Sequence, residues 1–202
     1  LHNTLFPYTT LFRSIESPIP ALGNQTRETI IPLLDRAAEV GLLTALGGGY
    51  YTIHPALPWF FKRLFERLYP NDPLPEQAFV EGVGAFGDYY FNQYEAGNRN
   101  VISILTREEP NLLHARRIAR EKELWESIIR AMQGLMVFYD HSGRRAEWRK
   151  LVLEILPDFV DQTTDGPSAG CEDYWSIVTG YSVQLAQEDR NYIVSERKLI
   201  SL

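Results

Sequence analysis

The chain has 202 residues, enough for one or two domains, and its 45% hydrophobic and 12% aromatic content is ample for a core. Its net charge of −6 argues against broad nucleic-acid binding, which needs cations to neutralise phosphates. Its single cysteine, Cys171, excludes an intrachain disulfide and fits a reducing, cytoplasmic setting, and no apolar run approaches the roughly 20 residues needed to span a bilayer, so no membrane partner is expected.

Residues 26–40 predict a helix, with Ile30, Leu33, Leu34, Ala37 and Ala38 on one face. Pro32 sits in its early turns, where a missing N–H costs least, and Gly41 supplies a left-handed stop. Two β-prone runs, L-L-T-A-L at 42–46 and Y-Y-T-I-H at 50–54, flank Gly47, Gly48 and Gly49 and predict a hairpin. The triple glycine lacks the Lys-Ser/Thr and the helix entry of a phosphate-binding loop, so it reads as a turn. Residues 56–69 predict a helix with the apolar stripe Leu57, Phe60, Phe61, Leu64, Phe65 and Leu68. The run P-N-D-P-L-P at 70–75 predicts an extended linker.

Beyond the linker the pattern is helical throughout. Residues 76–95 place Phe79, Val83, Phe86, Tyr90 and Tyr94 on one face, and Gly97-Asn98 ends that helix. A short helix is expected over 99–107. A new one is expected after it, with Pro110 in its first turn, Glu108 and Glu109 at its positive end, and Leu112, Ala115, Ile118 and Ala119 packed. Residues 124–140 carry Trp125, Ile128, Ile129, Met132, Leu135, Met136 and Tyr139 at i, i+3, i+4 spacing. H-S-G at 141–143 breaks the helix. Residues 145–156 then align Trp148, Leu151, Val152 and Ile155, with Pro157 as a stop. A polar loop over 161–172, a helix over 173–188 and a last helical segment over 191–201 complete the reading.

Three resemblances follow from particular residues. T-L-F-P-Y-T-T-L-F-R-S at 4–14 resembles the in-frame translation of a common DNA-sequencing adapter, which implies that residues 1–14 are a non-native segment outside the fold. Leu135 and Tyr139 on one helix, with Gly143 at the following turn, resemble the tetratricopeptide repeat. Trp148 stands where that family carries a small alanine. The next comparable position, Leu185, follows Tyr139 by 46 residues rather than about 34. E-E-P-N-L-L-H-A-R-R-I-A with Y-D-H-S-G-R-R-A-E-W resembles the helical repeats of STAND (NB-ARC-type) signalling NTPases, and L-L-D-R-A-A-E-V-G-L-L-T-A-L-G-G-G-Y-Y-T-I-H-P-A-L resembles the winged helix before those repeats.

The fold class expected is therefore mainly α: tetratricopeptide-like helical hairpins over 76–202, preceded by a partial winged helix with one β-hairpin over 15–69 and the linker at 70–75. The STAND resemblance implies a fragment of a larger signal-transduction protein whose NTPase module lies upstream. The chain itself holds no G-x-x-x-x-G-K-[ST], and no enzymatic activity or cofactor is expected of it.

Candidate chemistry is sparse. His114, Asp140, His141 and Glu147 form no H-E-x-x-H or C-x-x-C motif, so no metal is expected. Cys171 has no matched histidine signature, and Tyr89, Tyr90, Phe91 and Tyr94 read mainly as core. The winged helix offers Arg27 and Arg36 against Glu28, Asp35 and Glu39, a poor footprint for DNA. On the 124–140 helix, Arg130, Gln133, Val137 and His141 lie out of phase with Tyr139 and form the candidate partner-binding face, suited to a protein or peptide. A scaffold for protein–protein interaction or sensing is the expected function. The alternative is a DNA-binding transcriptional regulator whose repeats sense an inducer.

Overall fold

Apolar residues at helical spacing dominate the chain, and the fold follows them. The computed structural model describes residues 5–7, 27–47, 50–53, 57–70, 72–161 and 163–188. In order these form β1 (Leu5–Pro7), α1 (Arg27–Glu39), β2 (Leu43–Gly47), β3 (Tyr50–Ile53), α2 (Pro58–Leu68), α3 (Leu74–Glu95), α4 (Val101–Glu121), α5 (Trp125–Ser142), α6 (Arg145–Phe159) and α7 (Glu172–Glu188). The fold is mainly α, with one small antiparallel sheet ahead of the long helices. Among the described residues no helix is long and apolar enough to cross a membrane. The helix expected over 191–201 lies outside the described residues.

The hairpin forms as its pattern predicts. β2 and β3 pair from Leu43 opposite Ile53 to Gly47 opposite Tyr50, with a register shift between Ala45 and Gly47. Gly41, at φ +77°, ends α1 by a Schellman arrangement: its N–H donates to Ala38 O at 3.0 Å and that of Leu42 to Ala37 O at 2.9 Å. Ile30 of α1 is buried, and the Tyr51 hydroxyl donates to Asp35 on the same helix. Leu33, expected on the packed face, is 67% exposed. Leu5–Pro7, within the segment expected outside the fold, lies antiparallel on the other edge of β3, giving the order β1-β3-β2. An open strand edge accepts any short extended segment through main-chain hydrogen bonds alone.

Prolines mark the chain differently from the sequence expectation. α3 starts at Leu74, inside the predicted linker, because Pro75 falls in its first turn, where no N–H is required. The Leu74 N–H is held by Asp72 Oδ1 at 3.0 Å. Pro110 does not open a new helix; α4 runs unbroken through it. Pro157 likewise lies inside α6, which continues to the fully buried Phe159. In each case one intrahelical hydrogen bond is lost, and the buried apolar contacts on both sides of the proline keep the helix continuous.

The chain divides into two compact units, Leu1–Leu135 and Met136–Leu202, with the boundary inside α5. In the first unit, α3 packs on α4, and small residues let α3 approach α5. A Cβ on Gly87 would sit 2.5 Å from the Arg130 carbonyl oxygen, 3.1 Å from Leu112 Cδ2 and 3.3 Å from Ala131 Cα. A Cβ on Gly134 would sit 2.9 Å from Gly87 Cα, and one on Gly84 3.3 Å from the Ser127 carbonyl oxygen. Three helices therefore meet at Gly87 with no space for a side chain.

In the second unit α6 packs on α7, and Trp148 meets Tyr181 edge-on at 5.1 Å between ring centroids. Gly143, at φ +69°, closes α5 with the Arg144 N–H on Tyr139 O at 2.9 Å. The Arg144 guanidinium then lies 4.8 Å from the Tyr139 ring centroid, a cation–π contact at the turn.

Two substitutions test the crossing. Gly87→Ala should destabilise the protein by roughly 1–3 kcal/mol, because the new methyl meets backbone. Gly180→Ala, with nothing within 4 Å of its Cβ position, should be neutral or stabilising by up to about 1 kcal/mol through helix propensity. Urea unfolding checks both. In the second unit Trp148→Ala should cost about 3–5 kcal/mol, whereas Leu153→Ala, at a side chain 54% exposed, should stay within about 0.5 kcal/mol.

Candidate functional site

The four residues expected to hold a partner share one arc of α5, but they do not form one uniform surface. Arg130 is half-buried and ion-paired with Glu126 at 2.5 Å, one turn away. Gln133 is half-buried and His141 is exposed. Val137 is buried at 4% exposure, which corrects its expected place on an open face. The physical reason is that α5 is apolar over most of its circumference. Ile128, Ile129, Ala131, Met132, Leu135, Phe138 and Tyr139 are all buried with it, so a residue out of phase with Tyr139 is not automatically solvated. The unit boundary places Arg130 and Gln133 in the first unit and Val137 and His141 in the second. In the first unit the backbone of Arg130 is the surface that Gly87 meets, so the exposed part of this residue is its charged end.

A second polar group lies where α3 begins and α4 ends. Lys122 Nζ pairs with Glu76 at 2.9 Å, and Arg117 with Glu121 at 2.7 Å. The His114 ring lies 5.7 Å from the Phe79 ring, with its Nδ1 3.2 Å from Arg117. Burial and then the Arg117 charge hold its pKa below the usual imidazole value, against the pull of Glu121 and Glu76. These pairs are solvent-exposed and contribute little stability individually. They give this end of the first unit a mixed-charge surface. Among the described residues no group of three or more His, Cys, Asp or Glu is arranged to hold a metal ion.

Cys171 is buried in the loop before α7, and its thiol donates to the Asp158 carbonyl oxygen at 3.5 Å. A shielded thiol of this kind packs as a small apolar side chain. Tyr90 and Phe86 are core residues with rings 4.5 Å apart, whereas Tyr89 is 38% exposed.

The least expected residue is Glu108. The sequence pattern puts it at a helix N-terminus beside Glu109, but the continuity of α4 places it in the middle of a helix. There Val101, Leu105, Glu108, Leu112, Ala115 and Ala119 follow alternating steps of four and three, and every one is at most 1% exposed. One carboxyl oxygen accepts from Asn111 Nδ2 at 2.8 Å; the other, Oε1, has no hydrogen-bond partner. Desolvation raises its pKa to about 8, outweighing the Asn111 hydrogen bond, so the carboxyl is protonated at neutral pH. The signal was present in the sequence as a seam with a four-three rhythm, but the proline two residues later hid it.

Compared with protein-family models, curated proteins and solved structures, the chain matches none.

The raised pKa makes a signed prediction. An unfolded glutamate titrates near 4.5, so the neutral form of Glu108 contributes stability that is fully present below that pH. The contribution declines as the pH rises and is lost above about 8. Glu108→Gln should remove this decline and make the variant more stable than the parent at pH 8, by an amount on the order of a few kcal/mol. Urea midpoints for both proteins at intervals from pH 5 to pH 8.5 provide the measurement. Parallel curves would place Glu108 in an ionised, partnered state.

Proposed function

We propose that this chain is a non-catalytic scaffold for protein–protein interaction or sensing, the helical segment of a STAND-type signalling protein working in the cytoplasm. The observation that supports it is the pair of packed helix hairpins, α3 with α4 across a five-residue connection and α6 with α7 across the twelve-residue loop 160–171. Such hairpins spend their apolar residues on one another and leave polar outer positions for a ligand. On α5, outside both pairs, the first unit offers Arg130 and Gln133 as half-buried polar positions, and in the second unit His141 is exposed while Val137 contributes packing. A guanidinium, an amide and an imidazole bind peptide backbone and carboxylate groups through hydrogen bonds. The partner in this reading is a protein or peptide. Nucleic acid is disfavoured by the net charge of −6.

The test begins with a partner captured by the immobilised chain and identified by mass spectrometry. Arg130→Glu combined with Gln133→Ala should lower its affinity at least tenfold while the circular dichroism spectrum stays unchanged. Undiminished binding by the folded double variant would remove this face of α5 from the binding surface. A salt-sensitive mobility shift of duplex DNA by the same chain would favour the transcription-regulator alternative instead.

A further inference from the structure

Among the described residues, large apolar side chains left exposed are concentrated before residue 75. Leu33, Val40, Leu42, Leu46, Phe60, Phe65, Leu68 and Leu74 are all 36% exposed or more, whereas residues 75–188 contribute only Tyr89 and Leu153. The concentration is greatest on α2, whose sequence is PWFFKRLFERL. At about 100° per residue, Phe60, Leu64, Phe65 and Leu68 fall within one arc of about 140°. Phe60 is 51% exposed, Phe65 36% and Leu68 59%, while Leu64 is half-buried, so packing covers this arc only in part.

The charges on α2 follow the same arc. Arg63 and Arg67 occupy helical positions on one side of it, and Lys62 the position beyond its other side. Glu66, the sole acid of the helix, is placed opposite the apolar midline. The helix is therefore cationic by two charges in a chain of net −6. Residues 71–202 hold 14 basic and 21 acidic side chains, so an anionic surface attracts α2 and repels most of the chain.

We propose that α2 lies in the plane of an anionic lipid surface, with Phe60, Leu64, Phe65 and Leu68 entering the headgroup–acyl boundary and Arg63 and Arg67 at headgroup level. A basic amphipathic helix with an aromatic apolar face has the physical requirements for this. The expectation of no membrane partner rested on the lack of a spanning run, and an in-plane helix needs none. A second copy of the chain is a poorer occupant, because a two-fold pairing of α2 brings like cations together. A protein groove that takes one helix face is an outcome the test below distinguishes. The proposal is independent of what α5 binds.

Co-sedimentation of the full chain with vesicles tests it. Vesicles of seven parts phosphatidylcholine to three parts phosphatidylserine should bind the chain roughly tenfold more tightly than pure phosphatidylcholine, and raised salt should reduce the difference. Phe65→Asp with Leu68→Asp should abolish binding. Leu68 is 59% exposed, whereas the Phe65 ring lies 5.4 Å from that of Tyr69, so Leu68→Asp alone, with an unchanged circular dichroism spectrum, is the control and should weaken binding in the same direction. Arg63→Gln with Arg67→Gln, which keeps the apolar face, should reduce anionic binding towards the neutral-vesicle level. No binding to either vesicle overturns the proposal, and so does equal binding to both. A concentration-dependent dimer that the double Asp variant abolishes, without vesicle binding, assigns the face to a second copy and also overturns it. So does loss of a captured protein partner by that variant without vesicle binding, a result that leaves the scaffold reading standing.

Discussion

The close approach of α3 and α5 is the constraint on which the first unit depends. Gly84, Gly87 and Gly134 carry no side chains at the crossing, and the Arg130 carbonyl oxygen lies only 2.5 Å from where a Cβ of Gly87 would sit. Each interior glycine costs a helix about 1 kcal/mol relative to alanine. That cost is offset only if removing the side chains brings backbones and neighbouring side chains into dense van der Waals contact. Leu112 completes the contact from α4, so one glycine fixes the spacing of three helices. α5 is consequently buried on faces that a simple amphipathic helix leaves to solvent.

Glu108 adds a second constraint to the same packing. It lies one turn before Leu112 on the buried seam of α4 and carries a proton at neutral pH. A polar group in an apolar seam lowers stability but can specify how helices align, since a shifted register would bury it against other neighbours. Pro110 lies on the same helix without breaking it. Residues 101–119 thus form one rigid element rather than the two short ones that the proline suggests.

The elements were legible in the sequence wherever an apolar rhythm was long. The β-hairpin, the break at Gly97, the turn at Gly143 and α7 all emerge from period and punctuation. Prolines misled because their cost is local, about one hydrogen bond, while the decision to continue a helix rests on the burial of residues beyond them, such as Phe159. The crossing was invisible because Gly84 and Gly87 read as neutral positions within an amphipathic pattern; their role is set by α5, some 45 residues away. The candidate binding face was only half legible. Periodicity defines a helix arc correctly, but it cannot show how much of the circumference is buried, and Val137 is interior at 4% exposure.

A scaffold needs a framework that stays fixed while its polar outer positions engage a ligand, and the crossing at Gly87 provides one. Amide hydrogen exchange tests that framework most directly. Amides of residues 80–90 on α3 and 127–135 on α5 should exchange together and only through global unfolding, with protection matching the free energy from urea titration. The exposed helix α2 should exchange faster. Rapid exchange in either α3 or α5 independently of the other would show that the two helices are not locked at Gly87 and would contradict the account.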